Sequence, residues 1–427
     1  MPLRYHLTWL ARKFKLLGPG FITGAADDDP SGIATYSIAG AQFGYKLTWL
    51  CLFLTPLMFA VQEMAARIGM CSGMGLSGAI KKYYSRKILI SSILLLIIAN
   101  TINIGADLGF MAASLRMLIP LPFFFWLAAI TLLTVGLEVF IPYSRYSRYL
   151  KWLGLSLLVY IVTALVVKQD WKSVAFQTLI PHIEFNLGYL LIMVGFIGTT
   201  ISPYLFFWQA SEEVEEEIRK GRIADFKSTP PVDKADIKKM QKDTIIGMSF
   251  SNIVAFFIVL TTAATLNFSG IVDIETPQQV AQALRPLAGD FAYILFTLGI
   301  IAIGLQSVPV LSSGVAYAIA EAFNFREGLS KKFSEAKAFY GIIVASMIIG
   351  ATLNLLGINP VRALYYAAII NGVTSVPLIA VIIKLSNDRR VVGKHTTNRY
   401  VGLLGYITLL FLSLASGIMI YMLFTQP

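Results

Sequence analysis

Apolar runs of about bilayer-crossing length follow one another along the chain, separated by short polar or basic stretches. Runs at 17–44, 47–70, 88–112, 121–141, 150–167, 187–209, 243–266, 288–320, 336–356, 361–384 and 400–424 predict eleven membrane-spanning helices. Two of these runs are broken near the middle. The first contains Asp27-Asp28-Asp29-Pro30-Ser31-Gly32, and the sixth contains Thr199-Thr200-Ile201-Ser202-Pro203-Tyr204. Proline removes a backbone donor and clashes with the preceding helical turn. In lipid the freed carbonyls need partners, so a broken span must face protein or a watery cavity. The breaks lie five spans apart, the mark of a transporter made of two inverted five-helix repeats with its site where the broken helices meet. The expected organisation is an all-α polytopic membrane protein with one transmembrane domain. Repeat one covers about 17–167, repeat two about 187–384, and an eleventh helix over about 400–424 is appended.

Composition supports the membrane reading: of 427 residues, 56% are hydrophobic and only 14% charged, against about 25% charged in soluble domains. The net charge of +11 raises the question of nucleic acid, and its distribution answers it. With the N-terminus inside, only Lys46, Arg116, Lys168, Lys172, Arg285 and Arg362 of the 35 Lys and Arg fall outside. This asymmetry follows the positive-inside rule. It predicts a cytoplasmic N-terminus, an extracellular C-terminus and contact with anionic lipid, with no nucleic-acid partner. Cys51 and Cys71 are too few for a disulfide framework and read as small buried residues. The longest loop, Ser211 to Lys242, opens with an acidic stretch followed by bases and reads as solvated surface. Nothing in the sequence sets an oligomeric state, and a monomer suffices for transport.

The three aspartates change the picture most. One aspartate at mid-membrane depth costs about 2.5–3.5 kcal/mol on insertion scales, and no basic residue lies near mid-span in any run. A bound cation is the direct compensation. Carboxylates and the freed carbonyls of a broken helix are hard ligands suited to Mg²⁺, Ca²⁺ or Mn²⁺. Successive helical residues point about 100° apart, so all three cannot reach one ion unless the backbone unwinds. Asp29, beside Pro30, is expected to ligate directly, with Asp28 or Asp27 facing the aqueous entrance or binding through water. Gln306 and Asn371 either help close the site or make interhelical hydrogen bonds. Asp107 either lines the inner exit or is structural. Glu63 and Arg67, at i and i+4, read as a helix-end ion pair. The aromatics of PFFFW (122–126) and YLFFW (204–208) read as lipid-facing or packing residues.

These residues also carry a family resemblance. LLGPGFITGAADDDPSGIATYSIAGAQFG resembles the first span of the NRAMP family of divalent-metal transporters, where the motif is Asp-Pro-Gly-Asn. Asp29 and Pro30 match it, while Ser31 and Gly32 stand in place of Gly and Asn. QEMAARIGMCSGMGL (62–76) and FTLGIIAIGLQSVPVLSSGVAYAIAEAF (296–323) resemble the second and eighth spans, the latter with a Gln306-Ser307 pair. The resemblance covers about 16–385 and implies the LeuT-type fold with metal transport by alternating access.

Its departures bear on selectivity. Where the family's sixth span has Met-Pro-His, this chain has Ser202, Pro203 and Tyr204. A thioether is a soft ligand that favours transition metals, and a hydroxyl removes that preference. Mg²⁺ dehydrates reluctantly and suits a roomier, all-oxygen site. The substitutions resemble those of the NRAMP-related magnesium transporters. The expected metal set is Asp29, Asp28, Ser31, Thr199, Ser202 and Gln306, with Mg²⁺ or Mn²⁺ as substrate, no cofactor and no enzymatic activity. Phe110 stands where the family has a third-span Glu, and tyrosine relays protons at neutral pH less readily than histidine. Uptake without obligatory proton coupling is therefore expected. The alternatives are a proton-coupled Mn²⁺/Fe²⁺ transporter and a Na⁺-coupled amino-acid carrier of the same fold. A membrane metalloenzyme would need paired ligands such as H-E-x-x-H, and none is present.

Overall fold

The computed structural model describes residues 18–141 and 157–425, and over these it is all-helical. The main helices are α1 (Pro19–Asp27), α2 (Pro30–Phe43), α3 (Thr48–Ser72), α4 (Leu76–Tyr83), α5 (Arg86–Leu118), α6 (Phe123–Phe140), α7 (Leu158–Val166) and α8 (Trp171–Leu179). They are followed by α9 (Leu187–Thr200), α10 (Pro203–Arg219), α11 (Lys234–Thr262), α12 (Ala292–Phe323), α13 (Lys337–Thr352), α14 (Pro360–Asn387) and α15 (Arg399–Thr425). Among the described residues nine helical segments are long and apolar enough to cross a membrane. The first of them, Pro30–Ser72, joins two expected spans through one 3₁₀ turn. The start of the fifth span, with Arg145, Arg148 and Lys151, lies outside the described residues, as do Arg12, Lys13 and Lys15.

Both expected breaks are present. α1 ends at Asp27, Asp28 leaves helical geometry at φ −79° and ψ 53°, and Asp29 is extended at φ −67° and ψ 172°. Pro30 then starts α2, where a missing N–H costs nothing. The sixth span repeats the plan. α9 ends at Thr200, Ile201 and Ser202 are non-helical, and Pro203 opens α10. The broken helices sit at the centre of the bundle: α1 packs on α11, α9 on α14, and α5 on both α12 and α14. The lipid-ward faces are apolar, as at Leu132, Phe140 and Leu165. The two aromatic clusters divide by depth: Phe124 and Phe125 are exposed, whereas Phe206, Phe207 and Trp208 are buried. Cys51 and Cys71 are buried free thiols.

α1 and α11 touch backbone to backbone. A Cβ on Gly24 would overlap the carbonyl of Gly247, and one on Gly247 would overlap that of Gly20. Asp243 of α11 then caps the start of α1, accepting from Gly18 N and Gly20 N at 2.8 Å each. This removes orphan donors at a helix start and favours its positive dipole end.

The acidic run after the sixth span corrects the expectation of a solvated loop. α10 continues to Arg219, and Glu212, Glu213, Glu215 and Glu217 are all buried. Nearby groups partner most of them. Tyr317 donates to Glu215 at 3.0 Å, and Lys220 and Arg222 reach the two oxygens of Glu217 at 2.9 and 3.2 Å. Arg219 lies 3.5 Å from Glu212. The basic residues of the same run thus fold back on its acids, which composition alone cannot reveal. Glu63 and Arg67 do pair, but both are buried.

Two measurements follow from this packing. Gly247→Val has no room between α1 and α11. It should destabilise the protein by about 1–3 kcal/mol, as overpacking does, and a wild-type melting temperature for that variant would contradict the close contact. Glu327, in the loop after α12, is buried against Glu321, and its carboxyl is pushed from 4.5 up to about 9, by desolvation first and Glu321 second, despite Lys227 and Lys331. The folded state then binds more protons than the unfolded state between those values, so stability falls as pH rises through that window. Glu327→Gln should raise the melting temperature at pH 8 and leave it nearly unchanged at pH 5. An equal effect at both pH values would contradict this.

Candidate metal centre at the two helix breaks

The site begins with Asp29, whose extended backbone lets its carboxylate turn forward over the start of α2. Oδ1 accepts from Gly32 N and from Ser31 Oγ, both at 2.7 Å. This is the N-cap interaction common at helix starts, performed here at a buried break: Asp29 is 1% exposed. Oδ2 accepts from Asn103 Nδ2 at 2.9 Å and more distantly from Tyr204 Oη at 3.4 Å. Ser31 Oγ in turn lies 3.3 Å from Thr199 Oγ1, across the gap between the two broken helices. Asp29, Ser31 and Thr199 are therefore brought together as an oxygen cluster.

Tyr204 and Tyr36 tie the halves to each other. Tyr204 Oη reaches Ala26 O at 3.2 Å, occupying one carbonyl freed at the end of α1. Tyr36 Oη meets Thr200 Oγ1 at 3.0 Å. Ser375 of α14 donates to Ile201 O at 2.7 Å, satisfying the matching carbonyl of α9. These bonds answer the need for internal partners at interrupted backbone.

The other expected ligands lie differently. Asp28 and Asp27 do not join the Asp29 cluster; both carboxylates approach Ser251 of α11, at 3.2 and 2.6 Å. Ser202 is engaged by its own helix end, its hydroxyl 2.8 Å from both Gly198 O and Thr199 O. Gln306 is buried, with no hydrogen-bond partner for Nε2, and no hydrogen bond joins it to Asp29, Ser31 or Thr199.

Asn103 has no place in the sequence expectations. Its Nδ2 bridges Asp29 at 2.9 Å and Asp107 Oδ2 at 3.1 Å, and its Oδ1 accepts from Asn371 Nδ2 at 3.0 Å. Asp107 and Asn371 are thereby connected to the centre through α5 and α14. Asn100, Asn103 and Asp107 recur at helical spacing within an apolar run, a polar stripe that could have pointed to them. Ser251 had no such signal.

What the arrangement can do chemically follows from its atoms. Carboxylate and hydroxyl oxygens converge where Asp27, Asp28, Asp29 and Asp107 are all buried. Among the described residues no Lys, Arg or His forms an ion pair with any of the four. Uncompensated charge at this depth is costly, and hard oxygens suit a hard cation.

Known proteins resemble this chain in sequence and in fold. A divalent metal cation transporter MntH of Caldanaerobacter subterraneus is 23% identical over 419 residues, covering 97% of this chain and 94% of its own. The MntH of Mesorhizobium japonicum is 27% identical over 313 residues, covering 70% of this chain and 65% of its own. Among solved structures, the manganese transporter of Eremococcus coleocola superposes with a TM-score of 0.74 at 18% identity, over 96% of this chain and 88% of that one. Mhp1, a nucleobase-cation-symport-1 family transporter, gives 0.54 at 12% identity, over 96% and 93%. The fold is thus the LeuT type that the family resemblance implies. The family description "Natural resistance-associated macrophage protein-like" matches residues 20–422, and the chain belongs to the Nramp family.

Proposed function

We propose that this chain moves divalent cations into the cell by alternating access, with Mg²⁺ as the preferred ion and Mn²⁺ also accepted. One observation carries the reading: the groups meeting across the two breaks are oxygens only, Asp29 with the hydroxyls of Ser31 and Thr199. The family's thioether and imidazole positions are filled by Ser202 and Tyr204, so no soft ligand selects for a transition metal. Asp29 is the direct ligand, Ser31 and Thr199 complete the near set, and Ser202 and Gln306 join through water or after the helices move. Asp28 serves the same ion path from its other side. Repeat one over about 17–167 and repeat two over about 187–384 move against each other, with the N-terminus cytoplasmic and the C-terminus extracellular.

Transport needs no obligatory proton. The third span offers Phe110 beside Asp107, and Asp107 is bridged to Asp29 by the amide of Asn103, a group that does not titrate. The membrane potential is a sufficient force: two charges crossing about 100 mV gain about 4.6 kcal/mol. The second reading is a proton-coupled Mn²⁺/Fe²⁺ transporter. It is favoured by the retained Asp107 and by the manganese transport named for the Eremococcus coleocola protein. A Na⁺-coupled amino-acid carrier is disfavoured, because buried carboxylates at the first break would repel a substrate carboxylate.

Proteoliposomes separate these readings. Saturable Mg²⁺ influx without intravesicular acidification is expected, whereas Mn²⁺-only influx with acidification would establish the second reading. Asp29→Ala should abolish flux while the protein still folds, because the loss of the α2 cap, about 0.5–2 kcal/mol, is offset in part by the removal of a buried charge. Flux above a tenth of wild type in that variant would remove Asp29 from the centre.

A further inference from the structure

Asp27 and Asp28 are not used by the Asp29 cluster, and their environment is chemically incomplete. Both are 0% exposed, and neither Asp27 Oδ1 nor Asp28 Oδ2 meets a hydrogen-bond donor. Their remaining oxygens converge on one hydroxyl, with Ser251 Oγ 2.6 Å from Asp27 Oδ2 and 3.2 Å from Asp28 Oδ1. A serine has one hydrogen to donate. Given to Asp27 at the shorter distance, it leaves the hydroxyl facing Asp28 oxygen to oxygen. Either a proton on Asp28 or a cation among the three groups resolves such a contact.

Charge balance points the same way. A divalent ion at Asp29 offsets two of the four negative charges on Asp27, Asp28, Asp29 and Asp107, and no basic side chain among the described residues pairs with the others. We infer that Asp27, Asp28 and Ser251 form a second cation subsite, on the α11 side of the break, that takes a hard divalent ion of the same class as the cargo. This rests on the reading of Asp29 as a divalent-cation centre. Carboxylate and hydroxyl oxygens are the ligands Mg²⁺ and Mn²⁺ use, with water filling the remaining positions. The two subsites flank one unwound dipeptide. Two ions held there repel each other, so arrival of the second loosens the first, as in multi-site permeation.

The test is a count of bound ions. The purified full-length chain is titrated with Mn²⁺ while the free ion is measured by electron paramagnetic resonance. Two Mn²⁺ per wild-type chain are expected, falling to one in Asp28→Asn and, separately, to one in Asp29→Asn. Ser251→Ala keeps all the carboxylates, so it decides the matter if Asp28→Asn does not fold. It should weaken the second binding step at least tenfold while leaving the first unchanged. One ion in the wild type, lost in Asp29→Asn, overturns the subsite and leaves the proposed function standing, because protons then carry the remaining balance. Two ions that persist unchanged in both Asp28→Asn and Ser251→Ala also overturn it. No bound ion in the wild type sinks both readings.

Discussion

Carboxylates held away from water, with no ion pair to a basic side chain among the described residues, govern the middle of this molecule. Asp27, Asp28, Asp29 and Asp107 are all buried, and each ionised carboxylate at that depth raises the cost of the empty protein. Much of the surrounding structure lowers that cost by supplying dipoles. The Gly32 amide and Ser31 hydroxyl serve one oxygen of Asp29, and the Asn103 amide serves the other. Hydrogen bonds to charged acceptors are the stronger kind, yet none of these donors carries a full charge. They stabilise the carboxylates without neutralising them, which keeps the oxygens available to an ion.

The break in the backbone and the polar cluster are one device. Asp29 is both the cap that lets α2 begin and the principal acceptor of the site. Pro30 ends any continuation of α1 and needs no hydrogen bond of its own. Tyr204 and Ser375 reach in from distant helices to occupy carbonyls that the two interruptions expose. Residues from α2, α5, α9, α10 and α14 therefore meet at one point because each answers a need created by interrupted helices in an apolar surround.

The sequence was most legible where local chemistry conflicted with its setting. Aspartates and prolines inside apolar runs fixed both breaks to within a residue, because such residues have few ways to be tolerated in lipid. It was less legible wherever the meaning lay in a distant partner. Ser251 is an ordinary serine until α11 packs on α1, and Asn103 is one asparagine among several until α5 passes the break. Ser202 stands in the methionine's place in the sequence, which does not reveal that its hydroxyl lies against the carbonyls one turn back. The acidic stretch of α10 resembled a solvated loop because its bases follow in sequence; only folding shows them returning to pair with it.

The seam between α1 and α11 has a mechanical consequence. Its glycines let the two backbones touch, while Asp243 clasps the start of α1, Phe21 lies against Phe250 and Ser251 reaches Asp27 across the seam. Separating α1 from α11 would have to break these contacts, and the chain that joins α1 to α2 is non-helical at Asp28 and Asp29. The non-helical link between the two half-helices and the carboxylate that caps α2 thus belong to the same two residues. Any change in the angle between α1 and α2 must therefore also carry the Asp29 carboxylate with it.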